Sequence, residues 1–253
     1  YRLEDGTGDV YFDLAAAPRF GYESNLSREE MLVLSAERGG DPDRPGKRDP
    51  LDPLLWRGAR EGEPAWDGGP LGPGRPGWHI ECSAMSRRYL GPEFDIHGGG
   101  LDLRFPHHEN ERAQAVALGK TFANHWMHHA FIVDGEGEKM SKSIGNVSNL
   151  LDLIEHYDQR AYRLVLLQSH YRSPVKITSD SIGAAINSLA GLDSFAARTS
   201  GLADDTPSDE GVLAEFRVAM DDDLDTPGAT GLMFDTVRRA NAALDAGSDD
   251  AGA

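Results

Sequence analysis

The sequence predicts an α/β fold, with parallel strands in its middle third and a helical bundle after it. Strand and helix patterns alternate between residues 79 and 133, as is typical of parallel sheets crossed by helices. From about residue 150, apolar side chains recur at helical spacing. A stretch between residues 42 and 77 holds eight prolines and separates this pattern from the N-terminal residues.

The N-terminal part is predicted to hold little regular structure. Residues 9–14 alternate apolar and polar side chains and therefore predict a short strand. Proline and glycine are so dense between Pro42 and Gly77 that few helices or strands should form there. We expect an extended, looping connection that is pinned by Trp56 and Trp66.

Four elements are predicted in the middle third. Residues 79–90 and 107–118 predict helices, the second with Pro106 at its start. Residues 93–97 predict a strand that runs into three glycines, and 126–133 predict a second strand.

The last third is predicted to be helical. Ser179 is a candidate N-cap, and Ser208 and Thr226 with Pro227 open two further helices. Two apolar stripes follow these starts: Ile182, Ala185, Ile186, Leu189, Leu192 and Phe195, then Leu232, Met233, Val237, Ala240 and Leu244. We interpret both stripes as the core of a bundle rather than as binding features.

Charge and hydropathy limit the class of protein. The chain has 25 basic and 42 acidic side chains, a net charge of −17, and residues 201–253 hold 13 of the acidic ones. This surplus argues against a general nucleic-acid-binding protein, although a local basic groove stays open. No apolar run has the length of a membrane span, and the first residues are too polar for a signal peptide. We therefore expect a cytoplasmic protein with no membrane partner.

Seven of the nine histidines lie between His79 and His129, in the same stretch as the only cysteine, Cys82. His107 and Glu111 are four residues apart on a predicted helix, so both project from one face. This spacing suits zinc, and Cys82 could add a thiolate ligand. A hydrogen bond between His107 and Glu111 on the helix surface is the alternative.

Two further segments have the composition of nucleotide-binding loops. Gly98, Gly99 and Gly100 follow His97 at the end of a predicted strand. The ends of strands are where nucleotides bind in open α/β sheets, and glycine lets the backbone approach a ligand closely. Asp102 could bind ribose hydroxyls. An ordinary tight turn is the alternative.

The second of these segments is the loop 134–146, which carries Lys139 and Lys142 three residues apart. Two ammonium groups on one loop could stabilise charge on ATP phosphates and on the leaving pyrophosphate. A solvated basic turn is the alternative.

Several stretches together resemble the cysteinyl-tRNA synthetases, which are class I aminoacyl-tRNA synthetases. The matching stretches are GRPGWHIECSAM at 74–85, FDIHGGG at 94–100, FPHHENE at 105–111 and KMSKS at 139–143. Weaker matches are KRDP at 47–50, SHYRSP at 169–174 and DDDLDTP at 221–227. The likeness runs in consistent order along nearly the whole chain.

The resemblance implies the second half of a Rossmann-type catalytic domain followed by a helical bundle. It divides the chain into a connective region at 1–76, a nucleotide-binding region at 77–150, and a stem-contact region with an incomplete tRNA-binding domain at 151–253. It also implies cysteine, ATP with Mg²⁺ and tRNA(Cys) as substrates, and a monomeric protein.

Roles for single residues follow from the same resemblance. Cys82, His107 and Glu111 fall on zinc-ligand positions, and the zinc selects cysteine by binding its thiolate. Trp78 falls on a position near the amino acid, Lys142 falls on an ATP-binding lysine, and Lys139 begins that signature.

Departures from the family pattern leave two alternatives. Nothing in the sequence matches the family's His-Ile-Gly-His-type signature or the zinc-ligating cysteine before it. We therefore expect that half of the nucleotide fold lies outside this chain, and that the chain alone does not activate cysteine. A cysteine ligase of mycothiol biosynthesis, which has an amino-sugar acceptor, is one alternative, and a non-catalytic binding module is the other.

Overall fold

The computed structural model describes residues 1–134, 136, 151, 155–202 and 207–247. The chain divides into two compact units, Tyr1–His129 and Ala130–Ala253. The first unit is α/β and the second is mainly helical in its described residues.

The first unit contains six strands and three α-helices. In chain order they are β1 (Val10–Tyr11), α1 (Arg28–Glu37), β2 (Leu54–Gly58), β3 (Trp66–Asp67), β4 (Pro73–Pro76), α2 (Trp78–Leu90), β5 (Glu93–Gly100), α3 (Glu109–Ala117) and β6 (Phe122–His129). Strands β5 and β6 pair in parallel from Glu93 with Phe122 to Gly100 with His129, as the alternation of strand and helix predicted.

The proline-rich stretch forms more regular structure than predicted. Strands β1, β2, β4 and β3 form an antiparallel sheet in that order, so the expectation of few elements between Pro42 and Gly77 was wrong. Pro73 and Pro76 lie at the two ends of β4, where proline interferes least with a sheet. Of the two tryptophans that we expected to hold this stretch in place, Trp56 packs against the backbone of Gly68 and Gly74. Trp66 is 61% exposed and is not part of the core.

Helix α1 was not predicted, although its start carries a local signal. Ser27 accepts a hydrogen bond from the Glu30 backbone N–H, and the Glu30 side chain accepts one from the Ser27 N–H. This reciprocal pair satisfies two backbone donors that the helix itself leaves free. Met31 from α1 packs with Phe105 and Ala113 in the main core of the first unit.

The second unit contains two short strands and four helices in its described residues. They are β7 (Ile132–Val133), α4 (Gln159–Leu167), β8 (Val175–Lys176), α5 (Ser179–Thr199), α6 (Glu210–Asp221) and α7 (Thr226–Asp245). Strands β7 and β8 pair in parallel. No described helix is long and apolar enough to cross a membrane.

The predicted helix starts lie within two residues of the observed ones. The N-caps are Thr178, Asp209 and Asp225, so Ser179 and Ser208 were placed one residue away from the capping side chain. The first half of the predicted apolar stripe of α5 packs in the core of this unit: Ile182 and Ala185 are buried, and Ile186 and Leu189 are partly buried against them. Leu192 and Phe195, further along the stripe, are half-buried.

The predicted strand 126–133 is two separate strands. β6 starts earlier, at Phe122, and ends at His129, where its partner strand β5 also ends. The Ala130 N–H then donates to the Tyr171 carbonyl, and β7 begins a new pairing with β8. The predicted helix 107–118 likewise begins at Glu109, because Phe105 is extended and the turn Arg104–His108 precedes the regular helix.

Candidate metal centre

Three elements of the first unit converge on one cluster of side chains. Cys82 lies on α2, His107 lies in the turn before α3, and Glu111 lies on α3. Their candidate ligand atoms all lie within 4.8 Å of one another. The structure therefore brings together the three residues that the sequence proposed as zinc ligands.

Glu111 is the central group of this cluster. Its side chain is fully buried, and its Oε2 lies 2.9 Å from His97 Nε2 and 3.6 Å from His107 Nε2. Its Oε1 has no hydrogen-bond partner among the described residues. A buried carboxylate with a free oxygen is costly unless a cation compensates it. The alternative of a hydrogen bond between His107 and Glu111 on the helix surface was wrong, since both side chains are buried and 3.6 Å is too long.

Burial disfavours the protonated form of His107 and of His79, which lies next to it. Burial lowers the pKa of His107, with Glu111 acting in the opposite direction, and burial lowers the pKa of His79 to about 3. His79 Nδ1 and His107 Nδ1 are 2.8 Å apart, so one of them donates a hydrogen bond to the other. When His107 donates, its Nε2 keeps a lone pair on the side of Glu111, which is the arrangement that metal-binding histidines adopt.

Cys82 adds a sulfur ligand to the imidazole of His107 and the carboxylate of Glu111. Burial and then the Glu111 carboxylate raise the pKa of its thiol, so the protein alone disfavours the thiolate. A divalent cation between Cys82 and Glu111 would reverse that preference, because a coordinating thiol is deprotonated. Thiolate, imidazole and carboxylate form a donor set that fits zinc.

A second set of candidate ligands shares Glu111. His97, His108 and Glu111 also place ligand atoms within 4.8 Å of one another. Burial lowers the pKa of His108 to about 3, and its Nδ1 lies 2.8 Å from His128 Nε2. Sequence reasoning missed His79 and His108 and placed His97 with the nucleotide, although the density of histidines in this stretch was a signal for all three.

Trp78 lies beside the cluster. Its ring centroid is 4.6 Å from that of His107, and its side chain is 55% exposed. A large, accessible aromatic surface therefore borders the candidate metal ligands.

The glycine segment is part of strand β5 and does not form a loop after it. A Cβ on Gly99 would lie 2.8 Å from Leu103 Cδ1 and 3.1 Å from His108 Cε1, so glycine lets the histidine cluster pack against the strand. The Asp102 carbonyl accepts a hydrogen bond of 2.8 Å from Arg38 Nη1. These contacts give Gly99 a packing role, and a role in ATP binding stays a prediction. Lys139 and Lys142 lie outside the described residues.

Two family models match the chain. The chain matches the model of the tRNA synthetases class I (C) catalytic domain over residues 1–187 and that of the DALR domain over 215–253. A cysteine–tRNA ligase from Kocuria rhizophila is 48% identical over 256 residues, which cover 99% of this chain and 52% of the relative.

A second relative has a different acceptor in its name. The L-cysteine:1D-myo-inositol 2-amino-2-deoxy-alpha-D-glucopyranoside ligase from Salinispora tropica is 54% identical over 232 residues, which cover 90% of this chain and 56% of the relative. The chain thus spans just over half the length of both relatives.

A solved structure supports the fold. Methionyl-tRNA synthetase from Mycobacterium tuberculosis bound by methionyl-adenylate aligns with a TM-score of 0.63 at 16% identity, covering 93% of this chain and 52% of that one. Because the catalytic-domain model spans 187 of the 253 residues, the chain belongs to the class I (C) tRNA synthetase family.

Proposed function

We propose that this chain carries the amino-acid-selecting part of an enzyme that activates cysteine with ATP. In the first step a carboxylate oxygen of cysteine attacks the α-phosphorus of Mg²⁺-bound ATP, giving cysteinyl-adenylate and pyrophosphate. In the second step a ribose hydroxyl at the end of tRNA takes the cysteinyl group and releases AMP. No covalent bond to the protein forms in either step, so rate enhancement comes from positioning and charge stabilisation.

The cluster of Cys82, His107 and Glu111 is the observation that carries this proposal. These residues would hold a zinc ion, which supplies an open position for the substrate thiolate. Zinc binds a thiolate well and a neutral hydroxyl poorly, so the site would accept cysteine and reject serine. Trp78 would cover the bound amino acid, since its exposed ring lies next to His107.

The other predicted segments take roles around this centre. Gly98 to Gly100 and Asp102 would lie against the adenosine of ATP, and Lys139 and Lys142 would contact the phosphates. The regions 1–76, 77–150 and 151–253 would act as connective region, catalytic region and tRNA-contacting region. The cysteine–tRNA ligase of Kocuria rhizophila, which is 48% identical and matches 99% of this chain, supports tRNA as the acceptor.

An amino-sugar acceptor is the second candidate. The Salinispora tropica relative, named as a ligase of cysteine with an inositol amino-glucoside, is 54% identical to this chain. Cysteine activation would be common to both candidates, and only the nucleophile of the second step would differ.

The proposal is tested with full-length protein that carries this chain, supplied with zinc and MgATP. Pyrophosphate should exchange into ATP with cysteine, and exchange with serine should be slower by about 10⁴-fold, as expected when a site loses its polar partner. Glu111→Gln should abolish cysteine-dependent exchange, whereas Glu29→Gln on the exposed face of α1 should not change it. Equal exchange with serine, or exchange that ignores Glu111, would contradict the proposal.

The acceptor is decided in the same reaction. Transfer of labelled cysteine to tRNA is expected, with none to glucosaminyl-inositol. Cysteinylation of the sugar amine without any of the tRNA would make the second candidate correct.

A further inference from the structure

A largely apolar cavity of about 220 Å³ lies between helices α2 and α3 of the first unit. It is bounded by one face of α2, by the C-terminal end of α3 and by the start of strand β6. Most of its wall is apolar: Ile80, Ala84, Ala115, Leu118 and Phe122 all line it. Pockets for drug-sized ligands measure roughly 300–1,000 Å³, so this one suits a smaller molecule. We call it the helix-pair cavity.

The helix-pair cavity shares no residue with the candidate metal centre. Pro92 and Phe122 line it, so it lies at the end of the parallel pair where β5 and β6 begin. The glycine segment that we predict to bind ATP, Gly98 to Gly100, lies at the opposite end of β5. A ligand in this cavity would therefore contact none of the residues proposed to bind cysteine and ATP.

Gln114 gives the first sign of a ligand in this cavity. It lines the cavity, and its side chain is only 4% exposed. Its Oε1 accepts a hydrogen bond of 2.6 Å from Ser83 Oγ, whereas its Nε2 has no partner among the described residues. A buried amide donor is rarely left unpaired in a folded protein, because the unmade hydrogen bond is costly. A ligand with an acceptor oxygen would satisfy it.

Two cations give the second, independent sign. Arg87 and Lys120 line the cavity and are exposed, and neither side chain forms an ion pair or a hydrogen bond within the part of the chain that the structure describes. By contrast, Arg28, Arg57 and Arg60 of the same unit all pair with carboxylates. No acidic side chain is among the lining residues, although the chain has a net charge of −17. The cavity therefore favours an anion.

From these observations we infer that the helix-pair cavity binds a small organic carboxylate. Its apolar body packs against Leu118 and Phe122. Its carboxylate oxygens supply both the negative charge that Arg87 and Lys120 favour and the acceptor that Gln114 lacks. Inorganic phosphate would leave the apolar wall uncovered, and a nucleotide is too large for the cavity. Binding of this ligand requires neither zinc nor ATP.

The test follows binding of para-trifluoromethylbenzoate to the full-length protein by fluorine NMR. This probe joins a small apolar body to a carboxylate. Its neutral control is para-trifluoromethylbenzamide, which keeps the body and an acceptor oxygen but lacks the charge. Saturating cysteine and a non-hydrolysable ATP analogue are present throughout, so that neither compound occupies the substrate site. We expect saturable binding of the acid and binding of the amide that is about tenfold weaker, as expected for the loss of a charge-assisted contact.

Two pairs of variants locate the probe. Arg87→Ala should weaken binding of the acid about tenfold and leave binding of the amide unchanged, whereas Arg88→Ala, at the next residue of α2 outside the cavity, should change neither. Ala84→Phe should abolish binding of both compounds, because Ala84 is an exposed residue of the cavity wall and the added ring takes up the space. Ala117→Phe is its control, at an exposed position of α3 outside the cavity.

A third variant tests the unpaired donor. Gln114→Leu should weaken the acid and the amide to the same extent, about fivefold, because both carry an acceptor oxygen. Thermal unfolding is measured on all samples, and Ala84→Leu replaces Ala84→Phe should the larger residue impair folding.

Three results would overturn the inference. The first is equal binding of the acid and the amide, or equal effects of Arg87→Ala and Arg88→Ala. The second is binding that survives in Ala84→Phe or is unchanged in Gln114→Leu, because the probe would then lie elsewhere. The third is no binding to the wild type, which would show that the cavity is closed or filled in the full-length protein.

Discussion

Replacement of His79 by phenylalanine tests how the candidate metal centre is held. The His79 Nδ1 lies 2.8 Å from His107 Nδ1, and the His79 ring stacks on Trp78 with centroids 5.8 Å apart. Phenylalanine keeps the size and the stacking of the ring and removes only the hydrogen bond. The His107 ring then loses the partner that fixes its orientation and tautomer.

The size of the effect follows from that single contact. Loss of a residue that orients a metal ligand typically weakens metal binding 10–100-fold, which is about 1.4–2.7 kcal/mol. The net value of one hydrogen bond, about 0.5–1.5 kcal/mol, together with an unsatisfied buried ring nitrogen gives the same range. We therefore expect His79→Phe to raise the zinc dissociation constant by about 10–100-fold.

The assay is a competition titration of zinc between the protein and a chromophoric chelator, with far-UV circular dichroism to check the fold. His125→Phe is the matched control, because His125 is exposed and belongs to neither candidate ligand set. If His79→Phe and His125→Phe bind zinc with the same affinity as the wild type, His107 is not a zinc ligand held by His79.

Three further outcomes are expected. Cys82→Ser should lower the zinc content of the purified protein at least tenfold and leave its circular dichroism unchanged, since a hydroxyl is a poor zinc ligand; full occupancy would exclude the thiol from the site. Asp9→Ala should lower the free energy of unfolding in urea by about 3 kcal/mol, because Arg44 and Arg60 both lose the buried carboxylate with which they pair. Asp5→Ala should have a much smaller effect, because Asp5 is an exposed partner of Arg44 alone. The guanidinium of Arg172, and then the Tyr171 hydroxyl, lower the pKa of Asp223 to about 2. The ionised Asp223 therefore stabilises the fold fully above the unfolded pKa of about 3.9, and this stabilisation is lost as the pH falls toward about 2. The difference in Tm between wild type and Asp223→Asn should shrink between these two pH values, and a constant difference would refute the pairing.

The sequence predicted those features that depend on residues close together in the chain. The four-residue spacing of His107 and Glu111 was enough to place both on one side of the turn and helix. The parallel pairing of β5 and β6 followed from the alternation of strand and helix, and the stripe of α5 predicted its buried face.

Features that depend on contacts between distant segments could not be predicted. His97 on strand β5 contacts Glu111 on helix α3, and Arg38 contacts the Asp102 carbonyl from 64 positions away. The local sequence marks His97 only as one of several clustered histidines and does not mark Arg38, because each of these contacts forms only when the elements pack. The antiparallel sheet in the proline-rich stretch was missed for a different reason, since prolines at strand ends are compatible with a strand.

The burial of polar residues on α3 was also not evident from periodicity. Glu109, Asn110, Glu111 and Gln114 are all at most 4% exposed, although their residue types usually mark a solvent-facing helix. Such a helix is stable only when its polar atoms find partners, and Ser24 N–H provides one for Glu109 at 2.7 Å. Four side-chain atoms of this helix have no hydrogen-bond partner among the described residues: Glu109 Oε1, Asn110 Oδ1, Glu111 Oε1 and Gln114 Nε2. Of these, we assign Glu111 Oε1 to the metal ion.

The central claim is that a zinc ion held by Cys82, His107 and Glu111 binds the thiolate of substrate cysteine. Zinc K-edge X-ray absorption of the zinc-loaded full-length protein tests it most directly, because sulfur and nitrogen or oxygen ligands differ in distance, about 2.3 Å against about 2.0–2.2 Å. Addition of cysteine should raise the sulfur contribution to the first shell by one ligand, addition of serine should not, and Cys82→Ser should lower it by one. A sulfur contribution that does not change with cysteine, or that is unaffected by Cys82→Ser, would contradict the claim.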